Sequence, residues 1–278
     1  MRLATLRLSG RTAVARVEGE RVVEVRQFAD VADVLVRDGL AEVAKASGPV
    51  HDLGSADLAP VVTNPRKVVC VGLNYRTHIL EMGRGLPEFP TLFTKYPEAI
   101  IGPRDDIQLA PESQKVDWEA ELAVVIGRRV RRAKGEAARE AIAGYTVLND
   151  ITMRDFQYRG PSWFQGKSWE NSTPLGPVMI TPEELVPDAV MTTTVDGQQM
   201  QHTTIDDLVF DAPTLVEYIS TIITLNPGDV IATGTPSGVG HARKPPQYLQ
   251  PGQTVITAIE GIGELVNRTV AEQIETGP

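Results

Sequence analysis

Short apolar stretches separated by glycine and proline recur along most of this chain, and they constrain its fold more than any other feature. Strand patterns dominate from Lys67 onward, while predicted helices are few, near residues 75–82, 135–142, 152–158 and 212–222. Asp196-Gly197 separates two such stretches and is typical of a tight hairpin turn, because both residues tolerate positive φ angles. The pattern predicts a mainly β fold with appended helices, an α+β arrangement, rather than a doubly wound sheet.

The first part of the chain has its own organisation. Residues 1–25 alternate as short strands, and residues 30–46 carry apolar residues at helical spacing, interrupted by Gly39. Residues 47–65 are rich in glycine and proline and are interpreted as a linker. We therefore expect a small N-terminal α/β module over residues 1–60 and a larger domain over residues 66–278.

Charge and composition exclude several classes of partner. The net charge is −9, which argues against non-specific binding of nucleic acid or of an anionic membrane surface. The single cysteine, Cys70, excludes an intrachain disulfide, and no window is apolar enough for a signal peptide or membrane span. These features predict a cytoplasmic protein whose site needs local positive charge or a metal to bind an anion.

The acidic segment from Asp117 to Ile126 is the most informative motif. Side chains alternate along a strand, so Asp117, Glu119 and Glu121 share one face. Another predicted strand ends at Asn149-Asp150 and supplies a third carboxylate beside the two glutamates. Three oxygen ligands on rigid elements favour Mg²⁺, Mn²⁺ or Ca²⁺ over zinc. The alternative is a solvent-exposed strand face that happens to be acidic.

Basic and amide side chains follow the acidic motif. Arg154 and Gln157 lie three residues apart on one face of a predicted helix, and Lys167 follows in Gly166-Lys167-Ser168. These residue types stabilise a developing oxyanion. The alternative is that Arg154 and Lys167 are ordinary surface residues.

Two further motifs carry candidate site residues. His78 and Glu81 lie side by side on a predicted helix, in the arrangement of a general base whose histidine a carboxylate orients. Glycines on both sides suit a lid, although an exposed helix contact is the alternative. A strand then runs into a glycine-rich loop in which Gly234 and Thr235 could hold a substrate carboxylate.

Together these segments resemble the fumarylacetoacetate hydrolase family over about residues 66–270. The matching landmarks occur in family order: Val71-Gly72-Leu73-Asn74-Tyr75 with His78, Asp117-Trp118-Glu119-Ala120-Glu121-Leu122, Asn149-Asp150 with Arg154-Asp155, Gly166-Lys167-Ser168, Pro174-Leu175-Gly176-Pro177, and Gly228 to Gly240. Larger members carry an additional metal-bound aspartate upstream of the acidic strand, and no counterpart is evident between Phe93 and Gly102.

The resemblance implies a mixed β-roll catalytic domain, usually a homodimer. It implies Mg²⁺, Mn²⁺ or Ca²⁺ on Glu119, Glu121 and Asp150, oxyanion stabilisation by Arg154, Gln157 and Lys167, and a base formed by His78 and Glu81.

The expected reaction is hydrolysis of the carbon–carbon bond of a small 1,3-dicarbonyl acid, such as acetylpyruvate or fumarylpyruvate, in the catabolism of aromatic compounds. The alternatives on the same site are decarboxylation of oxaloacetate or another β-keto acid, and enol–keto isomerisation of the 2-hydroxyhepta-2,4-diene-1,7-dioate type. A binding module for small keto acids, without catalysis, is a further alternative.

Overall fold

The computed structural model describes residues 1–81 and 83–273, without the side chain of Glu81. Its strands are β1 (Arg2–Leu8), β2 (Arg11–Glu18), β3 (Arg21–Val25), β4 (Val50–Asp52), β5 (Leu58–Ala59), β6 (Val68–Gly72), β7 (Thr91–Lys95), β8 (Ile100–Ile101), β9 (Ile107–Leu109), β10 (Val116–Asp117), β11 (Ala120–Ile126), β12 (Ile142–Asn149), β13 (Thr152–Met153), β14 (Thr173–Ile180), β15 (Val190–Val195), β16 (Gln198–Thr204), β17 (Val230–Ala232), β18 (Thr254–Ile259) and β19 (Gly263–Ala271).

The helices are short, apart from the last. They are α1 (Val31–Val36), α2 (Leu40–Lys45), α3 (Arg76–Glu81), α4 (Glu136–Arg139), α5 (Arg154–Gln157), α6 (Phe164–Lys167) and α7 (Ala212–Ile222). The prediction of a mainly β fold with appended helices is confirmed. Among the described residues, no helix has the length and apolar character needed to cross a bilayer.

Most strands belong to one mixed sheet of 12 strands, whose main path runs β4-β3-β2-β1-β14-β12-β11-β17-β6-β7. A second sheet of five strands runs β16-β15-β18-β19-β9, and β10 pairs with β13. The predicted hairpin at Asp196-Gly197 joins β15 to β16, and both residues have the expected positive φ, +49° and +78°.

Strand β11 lies at the centre of the large sheet and is buried on both faces. Leu122 and Val124 belong to a core that also contains Met191 and Leu265 of the second sheet. Val125 belongs to the opposite core, which the N-terminal helices help to form. A carboxylate on β11 is therefore enclosed by protein rather than exposed to water.

The helical pattern predicted over residues 30–46 forms two helices, α1 and α2, because Gly39 interrupts it. A Cβ at Gly39 would lie 2.3 Å from the ring of Phe28, so only glycine allows this close approach. Asp30 begins α1 by accepting a hydrogen bond from the Asp33 N–H at 2.8 Å.

The predicted boundary between residues 1–60 and 66–278 is crossed by the large sheet. Strand β1 pairs with β14, at Arg2 with Ile180 and Leu3 with Met179. The N-terminal strands therefore extend the same sheet that carries the candidate site. An independently folding N-terminal module stays a prediction.

Candidate metal centre and active site

Three carboxylates converge where β11 begins and β12 ends. One ligand oxygen from each of Glu119, Glu121 and Asp150 lies within 4.8 Å of the others, and all three residues are buried. The pairing of Ala120 with Asn149 brings the two strands together, and the Asp150 N–H donates to the Glu119 carbonyl at 2.8 Å. The prediction that these side chains meet is confirmed.

The acidic segment is not one continuous strand, as the sequence pattern predicts, because residues 118 and 119 interrupt it between β10 and β11. Two buried amide side chains satisfy the backbone groups at this break. Asn149 Oδ1 accepts from the Glu119 N–H at 2.9 Å, and Gln201 Oε1 accepts from the Ala120 N–H at 3.0 Å. These bonds offset the cost of leaving the sheet pairing at this point.

Two buried ammonium groups neutralise part of the cluster. Lys167 Nζ donates to Asp150 Oδ2 at 2.7 Å and to Glu119 Oε2 at 2.8 Å. Lys95 Nζ donates to the other oxygen of Asp150, also at 2.7 Å. Burial alone would raise the pKa of Asp150, but Lys167 and Lys95 lower it below its ordinary value. Asp150 is therefore ionised.

Lys167 stays positively charged in the same environment. Burial lowers its pKa, but the nearby carboxylates of Asp150 and Glu119 outweigh this effect and raise it above the ordinary value. At neutral pH its ammonium group is a donor of hydrogen bonds rather than a base.

Arg154 anchors the other side of Glu119. Its Nη2 lies 2.8 Å from Glu119 Oε1, its Nε donates to Asp117 Oδ2 at 2.8 Å, and its Nη1 donates to Gln157 Oε1 at 3.0 Å. Short helix α5 begins at Arg154 directly after β13, which explains why Arg154 and Gln157 reach the cluster together. The alternative that Arg154 and Lys167 are surface residues is wrong, since both are buried.

Glu121 is the carboxylate that the protein leaves without a cation. It accepts the Gly234 N–H at 2.7 Å and forms no salt bridge within residues 1–81 and 83–273. Burial, with Asp150 and Glu119 as like charges, raises its pKa well above the ordinary value. A cation placed among the three carboxylates would remove this penalty.

The charges of the cluster fit a divalent ion. Four buried carboxylates, Asp117, Glu119, Glu121 and Asp150, face three buried cations, Lys95, Arg154 and Lys167. Ionised, this set has a surplus of one negative charge, and a divalent ion would convert it to a surplus of one positive charge. Such a centre would attract an organic anion despite the net charge of −9 on the whole chain.

The spread of the ligand oxygens also fits. Opposite oxygens of a Mg²⁺ ion are about 4.2 Å apart and those of Ca²⁺ about 4.6–5.2 Å, from their usual bond lengths. One oxygen from each of Glu119, Glu121 and Asp150 lies within 4.8 Å of the others, and the group contains no His or Cys. Its chemistry therefore suits hard cations. The residues fit a divalent metal with oxygen ligands, and the choice of Mg²⁺, Mn²⁺ or Ca²⁺ stays a prediction.

A cavity of about 360 Å³ opens beside Glu119, whereas Glu121 and Asp150 are not among its lining residues. It lies within the size range of about 300–1,000 Å³ for small-molecule sites. The predicted site residues that line it are His78, Glu119, Arg154, Gln157, Lys167 and Thr235. Gly234 holds Glu121 instead of lining the cavity, and the side chain of Glu81 lies outside the described residues.

Some residues of the site are not among the sequence-predicted ones. Lys95 lies in the segment between Phe93 and Gly102, which has no metal-bound aspartate, and it contacts Asp150 instead. The sequence signal for Lys95 is weak, because this residue ends a partly exposed strand.

The sequence pattern places Asp117 on the acidic face without assigning it a role. Its carboxylate accepts the N–H groups of Gly240 and His241, at 2.6 Å and 3.0 Å, and so fixes the glycine-rich loop.

Comparison with known proteins agrees with this geometry. Residues 67–270 match the family model described as fumarylacetoacetate (FAA) hydrolase C-terminal. The chain belongs to the fumarylacetoacetate hydrolase family. The sequence resemblance is confirmed, and the chain is an enzyme of this family.

Two relatives and two solved structures show the range of family activities. The chain is 44% identical over 217 residues to a Bos taurus protein named oxaloacetate tautomerase FAHD2A, mitochondrial, covering 77% of this chain and 69% of the relative. It is 42% identical to the Homo sapiens protein of that name, with the same coverage.

A fumarylacetoacetate hydrolase structure from Exiguobacterium antarcticum superposes with a TM-score of 0.86 at 36% identity, covering 98% of this chain and 100% of that one. A 5-carboxymethyl-2-hydroxymuconate delta-isomerase structure from Mycobacterium smegmatis gives 0.82 at 35%, covering 99% and 100%. These names span tautomerisation, hydrolysis and isomerisation. The cytoplasmic location and the homodimer stay predictions.

Proposed function

We propose that this family member catalyses enol–keto tautomerisation of oxaloacetate or a closely related 2-oxo dicarboxylic acid, with a divalent metal. One observation carries the proposal: Lys167 is held by the carboxylates of Glu119 and Asp150, two of the three candidate metal ligands, and it also lines the cavity. The similarity to proteins named oxaloacetate tautomerase supports the choice of reaction.

The donors of Lys167 and Arg154 suit an enolate. An ammonium group has three N–H donors, and two of those on Lys167 go to Glu119 and Asp150, which leaves one for a substrate oxygen. Arg154 uses three of its five N–H donors on Asp117, Glu119 and Gln157. The remaining donors favour the negatively charged oxygen that develops when the enol loses its proton.

The metal, when bound, would polarise the 2-oxo group and its carboxylate as a Lewis acid. Tautomerisation then needs one proton to leave the enol oxygen and one to reach C3, and no carbon–carbon bond breaks. His78 lines the same cavity as Lys167 and is the group to which we assign proton transfer at C3.

A second candidate is the hydrolysis of an acylpyruvate. The specific observation in its favour is that His78, Arg154 and Lys167 line one cavity, so a histidine that activates water would lie near donors for a tetrahedral oxyanion. Tautomerisation needs only proton transfers, whereas hydrolysis also needs the attack of water and the cleavage of a carbon–carbon bond. Tautomerisation is therefore the first proposal.

The test follows the decay of the enol absorbance of oxaloacetate with Mg²⁺ or Mn²⁺, together with pyruvate and CO₂ release. Acetylpyruvate cleavage is measured in parallel. We expect faster enol decay without product acids, and a loss of about 100-fold or more in Lys167→Met. The control is Lys134→Met, because Lys134 forms only an exposed pair with Glu217. Release of CO₂ at the rate of enol decay, or cleavage of acetylpyruvate alone, contradicts the proposal.

A further inference from the structure

The cavity is lined by one cationic side chain, Arg84, that is not paired with Glu119, Glu121 or Asp150. Its charged lining residues are Arg84, Arg154 and Lys167 as cations and Glu119 as the one carboxylate, among the described residues. Arg154 and Lys167 both contact Glu119. Arg84 forms no hydrogen bond or ion pair through its side chain within the part of the chain that the structure describes.

The backbone explains how Arg84 reaches the cavity. Gly83 has a φ of +69°, and its N–H donates to the Leu80 carbonyl at 2.9 Å, while the Arg84 N–H donates to the Ile79 carbonyl at 3.2 Å. This pair of bonds is the Schellman arrangement, in which a glycine turns the chain back at the end of a helix. The turn returns Arg84 toward the helix that carries His78, so that both residues line the cavity.

The two groups of cations differ in what they can bind. Lys167 and Arg154 are held beside the three carboxylates and serve the 2-oxo acid end of a substrate. Arg84 is exposed, is not paired with any of the three carboxylates and keeps all five of its N–H donors for a ligand. A planar guanidinium matches a carboxylate in a bidentate pair, which a methyl or acyl end cannot form.

We infer that Arg84 binds the distal carboxylate of the substrate and makes the site selective for 2-oxo dicarboxylates over 2-oxo monocarboxylates. This inference deepens the proposed function and depends on it for the substrate class. It assigns Arg84 a role in specificity rather than in the proton transfer, because the distal carboxylate is not a reacting group.

The experiment measures binding to the Mg²⁺-loaded protein by isothermal titration calorimetry. The probes are 2-oxoglutarate and 2-oxopentanoate, which have the same chain length and differ only in the distal carboxylate. Wild-type protein is expected to bind 2-oxoglutarate about tenfold or more tightly, since a charge-assisted pair is lost with the methyl group. Arg84→Gln should bring the ratio near one without changing the affinity for 2-oxopentanoate.

Two further variants control for charge. Arg76→Gln removes the same charge from the start of α3, where Arg76 is exposed and does not line the cavity, and it should keep the wild-type ratio. Arg84→Lys should retain part of the selectivity, because it keeps the charge and loses the bidentate geometry. A wild-type ratio near one, an unchanged ratio in Arg84→Gln, or equal weakening of both acids overturns the inference.

The readouts separate this inference from the proposed function. Selective binding of 2-oxoglutarate without acceleration of enol decay leaves the role of Arg84 standing and removes the tautomerase. Accelerated enol decay with equal binding of 2-oxoglutarate and 2-oxopentanoate leaves the tautomerase standing and removes the role of Arg84.

Discussion

The two oxygens of Asp150 are bound by two different buried lysines, Oδ1 by Lys95 and Oδ2 by Lys167, each at 2.7 Å. Lys95 also donates to the Ile151 carbonyl at 3.1 Å and is not among the residues that line the cavity, whereas Lys167 is. Both lysines therefore neutralise the same carboxylate, but only Lys167 faces the cavity, and we assign Lys95 a structural role.

Replacing Lys95 tests this division. Lys95→Met would leave Asp150 in a buried cluster with a larger surplus of negative charge, so we expect a loss of about 3–5 kcal/mol in the free energy of unfolding. Urea denaturation in EDTA measures it, and Mg²⁺ should restore part of the loss. Lys134→Met, at an exposed pair, should change stability by about 1 kcal/mol or less. Equal effects of the two substitutions would contradict the structural role of Lys95.

We predict that the carboxylate of Glu121 destabilises the metal-free protein. Its raised pKa results from burial and from the neighbouring Asp150 and Glu119, and each pKa unit corresponds to about 1.4 kcal/mol. Glu121→Gln keeps an acceptor for the Gly234 N–H and removes the charge, so it should raise the melting temperature in EDTA. The same variant should weaken Mg²⁺ binding by about 100-fold or more as measured by calorimetry, because loss of an outer-shell partner alone costs about 10–100-fold. Unchanged Mg²⁺ affinity would remove Glu121 from the ligand set.

Gly166 sets the position of Lys167. A Cβ at Gly166 would lie 2.6 Å from the backbone N and Cα of Gln157, and backbone atoms cannot move aside cheaply. Gly166→Ala should therefore displace α6, with a stability cost of about 1–3 kcal/mol and a fall of about 100-fold in kcat. Gly160→Ala is the matched control, because its nearest atom is 3.9 Å away. Normal turnover in Gly166→Ala would show that Lys167 tolerates this shift.

Glu24, on β3, makes the stability of the protein depend on pH. Burial raises its pKa, but hydrogen bonds from Arg26 and His51 outweigh this and lower the value below 4.5. A carboxyl group whose pKa is lowered by folding stabilises the protein above the unfolded pKa and loses that contribution as the pH falls through the folded pKa.

The corresponding test compares wild type with Glu24→Gln by thermal denaturation from pH 7 to pH 3. We expect the variant to be less stable by about 0.5–1 kcal/mol at pH 7, a modest figure because the arginine partners are largely exposed. The difference should shrink below pH 4.5. A difference that stays constant over this range would exclude the ionised carboxylate as its cause.

The sequence allowed the prediction of Glu119, Glu121 and Asp150 as metal ligands because the spacing of the carboxylates and the family resemblance point to the same three residues. Glu119 and Glu121 are two residues apart, and Asp150 follows a strand that pairs with theirs. Lys95 could not be assigned in this way, since its contact with Asp150 depends on how β6, β7 and β17 are ordered in the sheet. Arg84 was likewise not predicted to line the cavity, because the lining comes from segments that are far apart in the sequence.

The differences in the fold have the same origin. The predicted helix over residues 152–158 begins only at Arg154, because Thr152 and Met153 pair with β10. The strand predicted over residues 116–126 divides where the side chains of Asn149 and Gln201 replace its backbone partners. Both depend on residues far away in the sequence, which local patterns do not reveal.

The pairing of β1 with β14 gives the N-terminal residues a protective role. Strand β14 pairs with β1 at Met179 and Ile180, so removing the first strands would leave this end of β14 as a free edge with unpaired N–H and C=O groups. An apolar edge of this kind invites strands from other molecules and promotes aggregation. Shortened versions of this protein should therefore keep the first strands if they are to stay in solution.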